Sequence, residues 1–293
     1  MNNTVRNAVR MSVVFLMVIS ASGCGKKQNA NENKNVITNC GSDTMVNLAQ
    51  AWAEKYTEGK ELTVQVLGGG SGVGIASLTD GTCNMANASR KIKPKEATRI
   101  ETNQGKKPKE HIVGFDALAV YVHKDHPLDE ISIEVLAEIY GDGGKIENWS
   151  EVSDKAASLG EIVRVSRQNN SGTYAYFREA VLGKKRDYKL GSIDQSGSKD
   201  VVALVGKTPG AIGYSGMGYA TPEVKMLRIT KSKGDPSVAP TVANAKNGTY
   251  PITRPLHIYT IGEPTGSIKD YIEWIMSSEG QQVVTKLGYV PCK

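Results

Sequence analysis

The sequence predicts an α/β fold, and three observations support that prediction. Short apolar segments of strand length alternate with segments whose apolar residues recur at helical spacing, from residue 36 to the end of the chain. Hydrophobic residues make up 39% of the 293 residues, enough for one large domain or two of ordinary size. Glycine contributes 31 residues, about one in nine, which indicates several sharp turns or close backbone approaches.

Residues 1–23 are interpreted as a signal peptide. Arg6 and Arg10 precede an apolar run at residues 13–19 that is too short to span a bilayer. Small residues then lead to Cys24, and this segment resembles the lipobox of bacterial lipoproteins, which implies cleavage before Cys24 and lipid attachment to its sulfur. The alternative is an ordinary secretory signal that is cut elsewhere. Residues 24–35 are predicted to be a flexible tether, because nothing after Cys24 in this segment is apolar and larger than alanine.

The charge pattern argues against a nucleic-acid-binding protein. The formal net charge is +6, and removal of residues 1–23 with their two arginines leaves +4. The basic residues are scattered, and aromatic residues make up only 6% of the chain without alternating with them.

The elements follow in a regular order along the folded part. Strands are predicted at 36–40, 62–67, 84–88, 115–122, 163–165, 210–214 and 257–261. Helices are predicted at 45–56, from 71 toward 79, from 133 to 140 behind the N-cap Ser132, from 173 to 182, at 199–206, at 267–277 and at 280–287. Residues 232–249 are polar and predicted to be irregular. The strand at 115–122 is long enough to cross between two domains, with 257–261 as the return crossing.

Three loops repeat one pattern, in which a strand ends in glycine and hydroxyl residues and a helix begins at once. The loops are 41–44, 70–72 and 171–173, and Arg167 precedes the third. Helix N-termini present unpaired N–H groups, so three converging loops would surround a tetrahedral oxyanion, with Arg167 as a charged clamp. Each loop alone has an ordinary alternative as an N-cap.

Enzymatic patterns fit these residues poorly. Ser71 lacks the second glycine of a nucleophile elbow, and no register of residues 68–74 matches a dinucleotide-binding fingerprint. A secreted phosphatase or serine hydrolase that uses Ser71 or Ser171 stays open, but no base stands at a recognisable spacing. His123 and His126 are interpreted as surface residues of a polar turn rather than as metal ligands, and no cofactor is implied.

An ordered set of motifs resembles the extracytoplasmic phosphate-binding protein of bacterial phosphate ABC importers. The motifs occupy 41–44, 69–75, 88–90, 114–120, 146–149, 167–174, 210–214 and 250–256, nearly the whole folded part. The resemblance implies a two-domain type II periplasmic binding protein fold with phosphate in the cleft between the domains. It divides the chain into domain I, residues 36–116 and 256–293, and domain II, residues 117–255. It also implies a monomer that delivers phosphate to membrane permease subunits.

The resemblance implies a set of phosphate-binding residues. They are Ser42, Asp43, Thr44, Ser71, Arg90, Arg167, Ser171, Gly172 and Thr173. Better-known members have an aspartate in place of Arg90, which accepts a hydrogen bond from protonated phosphate and rejects sulfate. Asp43 is the candidate replacement, with Arg90 expected to neutralise or orient it, and the alternative for Asp43 is a simple helix N-cap. Sulfate, molybdate, tungstate or an organophosphate remains the alternative ligand.

The cysteines of the folded part are Cys40, Cys83 and Cys292, an odd number in a compartment that permits disulfides. Cys40 is expected at the ligand end of its strand, whereas Cys83 is expected to begin a strand that runs toward that end. A strand length would separate the two, so the sequence predicts a disulfide between Cys83 and Cys292.

Overall fold

The computed structural model describes residues 35–232 and 234–292, which form ten strands and nine α-helices. The strands are β1 (Val36–Gly41), β2 (Thr63–Gly69), β3 (Met85–Ala88), β4 (Pro108–His123), β5 (Glu130–Ser132), β6 (Val163–Arg167), β7 (Ile193–Gln195), β8 (Ala211–Gly216), β9 (Val224–Thr230) and β10 (Thr253–Ile261). The α-helices are α1 (Val46–Thr57), α2 (Ser71–Asp80), α3 (Pro94–Gln104), α4 (Ile133–Tyr140), α5 (Gly172–Phe177), α6 (Ser198–Val205), α7 (Val242–Lys246), α8 (Gly266–Ile275) and α9 (Ser278–Lys286). A turn of π-helix, Arg178–Leu182, continues α5.

The strands pair in the order β2-β1-β3-β10-β4-β8-β6-β7, and β9 pairs with β4 and β5. β1 is parallel to β2 and β3, and β6 is parallel to β7 and β8. Between these two parallel groups run β4 and β10, which are antiparallel to each other. The predicted α/β class is therefore confirmed, and the two parallel groups meet at a pair of long antiparallel strands.

The long strand β4 has 16 residues and is longer than predicted at its amino end. Its partner β10 begins at Thr253, four residues earlier than the sequence pattern indicates. A bulge interrupts their pairing, because Leu256 lies opposite Gly114 whereas His257 lies opposite Ile112. Val113 is the additional residue, and such bulges bend a strand pair.

Buried hydrophobic side chains form three clusters, and residues at different points along β4 and near β10 belong to different clusters. The first cluster contains Ala117 of β4 and Ile252 just before β10, and it extends through β6, β8, α4 and α6. The second contains Val113 and Leu256 with side chains of α1, α8 and α9, and a small third cluster joins α2 to α3. Apolar burial is the main stabilising term in folding, so each cluster is a separate core on one side of the strand pair.

The helix α1 shows how sequence periodicity produces this packing. Its buried residues include Leu48, Trp52 and Tyr56, which recur every four residues on one face as the pattern predicts. The indole nitrogen of Trp52 donates a hydrogen bond to the carbonyl of Gly280 at 2.8 Å, which ties α1 to α9.

The disulfide prediction is wrong. Cys83 is bonded to Cys40, with their Cα atoms 6.3 Å apart, whereas the sulfur of Cys292 donates to the carbonyl of Ile112 at 3.4 Å. The prediction placed Cys83 at the first residue of a strand and therefore a strand length away from Cys40. The strand begins only at Met85, so Cys83 lies in the segment between α2 and β3, where its Cα atom is 6.3 Å from that of Cys40.

The predicted signal peptide, the lipidation site Cys24 and the tether up to residue 34 lie outside the described residues. Within the described ranges, no helix is both long and apolar enough to cross a membrane.

Candidate functional site

The first loop of the site leaves β1 at Gly41 and enters α1 through a short 3-10 turn, Asp43–Met45. Gly41 has a φ of +133°, and a side chain there would collide with the carbonyl oxygen of Asn87. Only glycine therefore lets β1 and β3 approach this closely. The hydroxyl of Ser42 then donates to the hydroxyl of Ser89, which follows β3, at 2.9 Å.

The second loop brings Ser71 to the same place. Gly70, with a φ of +93°, precedes Ser71 at the start of α2. The oxygen of Ser71 accepts a hydrogen bond from the backbone N–H of Ser89 at 3.1 Å and lies 3.4 Å from its hydroxyl. Ser42, Ser71 and Ser89 thus form a buried group of hydroxyls at the carboxyl ends of neighbouring parallel strands.

The third loop approaches this group from the other parallel sheet. Ser171 caps α5 by accepting from the N–H groups of Thr173 at 3.1 Å and Tyr174 at 3.4 Å. A Cβ atom on Gly172 would collide with the hydroxyls of both Ser71 and Ser89. The N-terminus of α5 therefore packs directly on the serine hydroxyls, and the absence of a side chain at residue 172 makes this approach possible.

The first and third loops also meet through threonines. The hydroxyls of Thr44 and Thr173 are 2.8 Å apart. The hydroxyl of Tyr219 donates to the carbonyls of Asp43 at 2.6 Å and Thr44 at 3.1 Å. These bonds fix the backbone of the first loop against the first hydrophobic cluster, to which Tyr219 belongs.

A fully buried arginine, Arg254, lies beneath the two threonines. The register of β10 on β4 places it opposite Asp116, and its guanidinium donates to that carboxylate at 2.8 Å and 3.1 Å. It also donates to the hydroxyls of Thr44 at 3.3 Å and Thr173 at 3.0 Å. Burial raises the pKa of Asp116, and the positive charge of Arg254 opposes this shift. The opposite charges of Arg254 and Asp116 largely cancel, so the pair adds little net charge beneath the two threonine hydroxyls.

Arg167, at the end of β6, is also buried and pairs with Asp43 at 3.0 Å. It donates further to the hydroxyl of Ser198 at 2.9 Å and to the carbonyl of Ser196 at 2.7 Å. Burial lowers the pKa of the Arg167 guanidinium, and the carboxylate of Asp43 opposes that shift. The second oxygen of Asp43 accepts from the N–H of Gly69 at 2.9 Å.

Comparison with known proteins agrees with this geometry. Residues 28–279 match the model of the PBP superfamily domain. A protein of Pseudomonas aeruginosa named phosphate-binding protein PstS is 34% identical over 267 residues, covering 87% of this chain and 82% of that protein. The chain belongs to the phosphate-binding protein family.

Further relatives agree with that family. A phosphate-binding protein PstS of Bacillus subtilis is 31% identical over 292 residues, which cover 96% of this chain and 92% of that protein. A solved structure from Clostridium perfringens, described as a putative phosphate ABC transporter substrate-binding protein with bound phosphate, has a TM-score of 0.78 and 30% identity. The match covers 88% of this chain and 100% of that one. The two-domain type II periplasmic binding protein fold that the motifs implied is confirmed.

Not every residue that the family resemblance selects joins the group of hydroxyls. Arg90 points away and binds both carboxylate oxygens of Glu96 at 2.7 Å and 2.8 Å. Burial, the largest single influence, would raise the pKa of Glu96, but the hydrogen bonds and positive charges of Arg90 and Lys93 together lower it. The expected contact between Arg90 and Asp43 is therefore wrong, because Glu96 on α3 takes the guanidinium.

The alternative for Asp43, a simple helix N-cap, is also wrong. Its two oxygens are bonded to Arg167 and to Gly69, rather than to the N–H groups of its own helix. Asp43 instead connects the first loop to the second loop and to β6.

Sequence reasoning placed two further residues in motifs without assigning them to the site. Ser89 stands in the motif at 88–90, and its hydroxyl and N–H contact both Ser42 and Ser71. Arg254 stands in the motif at 250–256. The threonine before Arg254 and the proline after it do not indicate a binding residue. Arg254 reaches the site because the pairing of β10 with β4 places it opposite Asp116.

The arrangement suits binding of an oxyanion. Hydroxyls that can donate hydrogen bonds converge from three helix N-termini, and two arginines lie within the same cluster. Within residues 35–232 and 234–292, Ser71 and Ser171 bond to Ser89 and to backbone N–H groups rather than to a histidine. No group of three or more potential metal-ligating side chains occurs in that part of the chain.

Proposed function

We propose that the protein binds inorganic phosphate outside the cytoplasm and delivers it to the permease subunits of an ABC importer. The observation that carries the proposal is the convergence of the hydroxyls of Ser42, Thr44, Ser71, Ser89 and Thr173 on three helix N-termini. Relatives of up to 34% identity are named for phosphate binding, and the Clostridium perfringens structure is described with bound phosphate.

The proposed phosphate ligands combine sequence motifs with this geometry. They are Ser42, Asp43, Thr44, Ser71, Ser89, Arg167, Ser171, Gly172, Thr173 and Arg254. Ser171 contributes its hydroxyl proton, since its lone pairs cap α5. Arg90 is left out of the set because Glu96 holds its guanidinium.

The proposed domains are residues 36–116 with 256–293, and residues 117–255. The division is supported by the buried clusters, whose membership changes between Val113 and Ala117 in β4 and between Ile252 and Leu256 at β10. The contacts of Thr44 with Thr173 and of Asp43 with Arg167 join the two proposed domains at the site.

Asp43 is the proposed discriminator between phosphate and sulfate. Phosphate near neutral pH keeps at least one proton, which a carboxylate can accept, whereas sulfate has none. The position of Asp43 supports this proposal, because one of its carboxylate oxygens contacts Arg167 next to the cluster of serine hydroxyls.

We also propose that Cys24 carries a lipid anchor, that residues 24–35 tether the folded part to the membrane surface, and that the protein is a monomeric receptor rather than an enzyme. The support for the anchor is the small-residue segment ending at Cys24. The support for a receptor is that, in the part of the chain that the structure describes, Ser71 and Ser171 bond to Ser89 and to backbone N–H groups and not to a histidine.

Isothermal titration calorimetry with phosphate tests the function directly. We expect one-to-one binding with a dissociation constant at or below about 1 µM, near −8 kcal/mol. Sulfate, molybdate and an organophosphate serve as competitors, and tighter binding of one of them would reassign the ligand. No heat and no thermal shift with millimolar phosphate would contradict the proposal. Hydrolysis of a chromogenic phosphoester would contradict the receptor role.

A further inference from the structure

A cavity of about 600 Å3 lies on the side of β10, beside the cluster of hydroxyls formed by Ser42, Ser71 and Ser89. We name it the basic groove. One wall is the segment 90–93 after β3, and the opposite wall is residues 174–184 of α5 and the following turn. Arg254 and His257 of β10 line its floor. The walls belong to different hydrophobic clusters, because Ala88 packs in the third cluster whereas Phe177 and Val181 pack in the first.

The lining of the groove has a strong excess of positive charge. Six basic side chains face it, against the two acidic side chains Glu110 and Glu179. The three arginines among them are each paired with a carboxylate, Arg90 with Glu96, Arg178 with Asp187 and Arg254 with Asp116.

The three lysines differ from the arginines. They are Lys91, Lys93 and Lys184. In residues 35–232 and 234–292, no carboxylate oxygen lies within 4.0 Å of any of their amino groups. Lys91 lies on one wall and Lys184 on the other, so an anion in the groove would be attracted by positive charge from both walls.

A buried histidine on the floor has a ring nitrogen without a hydrogen-bond partner in the described part of the chain. His257 is only 2% exposed, and its Nδ1 atom lies 3.2 Å from a carboxylate oxygen of Glu110. Its Nε2 atom has no hydrogen-bond partner among the described residues. Buried polar atoms in folded proteins are nearly always paired, so a polar ligand atom in the groove would satisfy this nitrogen.

We propose that the basic groove is a second binding site, for a compact polyanion with three or more negative charges such as an oligophosphate or a tricarboxylate. The cavity is wide enough for several anionic groups, and the ammonium group of lysine acts as a point charge for such groups. The groove adjoins the proposed phosphate site and shares Arg254 with it, whereas Lys91 and Lys184 line the groove and are not among the proposed phosphate ligands.

Calorimetry on the whole folded protein in saturating phosphate tests the groove, with tripolyphosphate as the titrant. We expect one further binding event. The double variant Lys91→Gln/Lys184→Gln, with one change on each wall, should weaken tripolyphosphate binding at least tenfold and leave phosphate affinity within twofold of the wild type. Citrate provides a parallel arm that distinguishes carboxylate from phosphoryl groups, and binding of either polyanion supports the site.

The matched control is Lys95→Gln/Lys185→Gln, which removes the same charge from neighbouring exposed lysines that do not line the groove. This variant should bind tripolyphosphate within twofold of the wild type. Equal weakening in both double variants would overturn the proposal, since general surface charge would then account for binding. Release of the bound phosphate by tripolyphosphate would also overturn it, as would a flat titration with both polyanions at millimolar concentration.

Discussion

At the scale of single residues, Asp43 is the side chain that we propose to distinguish phosphate from sulfate. Its carboxylate is held by Arg167 and Gly69 rather than by its own helix. A carboxylate facing a fully deprotonated sulfate oxygen costs several kcal/mol through repulsion and desolvation. We therefore expect Asp43→Asn to lower the phosphate-to-sulfate affinity ratio at least tenfold, about 1.4 kcal/mol. Paired calorimetric titrations of the variant and the wild type measure the ratio. An unchanged ratio would leave Asp43 with only its connection to Arg167.

Arg167 is the second residue whose substitution has a definite expected size. A buried anion that loses its charged partner is weakened by roughly 2–5 kcal/mol, so Arg167→Ala should reduce phosphate affinity by that amount. The control is Lys124→Ala, because Lys124 is exposed and pairs only with its neighbour Asp125. Titration of both variants should show the loss in the first alone. Equal losses would mean that general surface charge captures the ligand.

The residue scale also shows where local sequence patterns are sufficient. Glycine and hydroxyl residues between a strand and a helix predicted the three loops, because capping and backbone approach depend on neighbours in the chain. The direction of Arg90 could not be predicted, since it depends on Glu96 in α3. The sequence pattern does not reveal α3, because Ile100 is its only buried residue. Arg254 was missed because its partner Asp116 is distant in the chain and is brought close only by strand register.

At the scale of elements, the start of α5 controls how closely the two sides of the site approach. Gly172 lies against the hydroxyls of Ser71 and Ser89, and an added methyl group would overlap both. Overpacking of this kind typically costs about 1–3 kcal/mol. We expect Gly172→Ala to lower phosphate affinity by roughly tenfold to a hundredfold, measured by calorimetry. Thermal unfolding without phosphate serves as the control and should change little, because the contact crosses the proposed cleft. Undiminished affinity would show that the approach is not needed for binding.

The turn between α2 and β3 is a second element with a measurable role, because its Cys83 is bonded to Cys40 across 43 residues of chain. Closing a loop of that length restricts the unfolded chain, so the bond should contribute roughly 2–4 kcal/mol. Urea unfolding of Cys40→Ala/Cys83→Ala should show this loss, whereas Cys292→Ala should unfold like the wild type. Peptide mapping of the oxidised protein provides an independent check. A mapped linkage that includes Cys292 would contradict the pairing.

Elements differ in how far the sequence predicts them. The central part of β4 was found because the continuous apolar run at residues 117–122 marks a buried strand at any position in a sheet. β9 was missed, since its burial alternates only weakly and its pairing with β4 and β5 is nonlocal. α7 was missed inside the polar segment 232–249, because five residues with a single buried alanine carry too little periodicity.

At the scale of the whole molecule, the two parallel groups of strands are connected through the antiparallel pair β4 and β10. Each group directs its helix N-termini toward the shared site, as strands of parallel sheets generally do at their carboxyl ends. The alternation of strands and helices predicted the class of fold. The proposed division into two domains came from the family motifs, because sequence periodicity does not reveal to which hydrophobic core a strand belongs.

We expect phosphate binding by the folded part to be independent of its attachment to the membrane. Residues 25–35 contain no apolar residue larger than alanine, so we do not expect this segment to contribute to phosphate binding. A single acyl chain binds membranes only weakly, whereas the two or more chains of a lipoprotein cysteine hold a protein stably. We therefore expect Cys24→Ser to move the protein from the membrane fraction to the soluble fraction, with phosphate affinity within twofold of the wild type. Fractionation and calorimetry measure the two properties separately, and Cys292→Ser is the matched control that should stay with the membrane. A Cys24→Ser protein that still sediments with membranes would contradict lipid anchoring, whereas a loss of phosphate affinity would mean that the N-terminal segment takes part in the folded body.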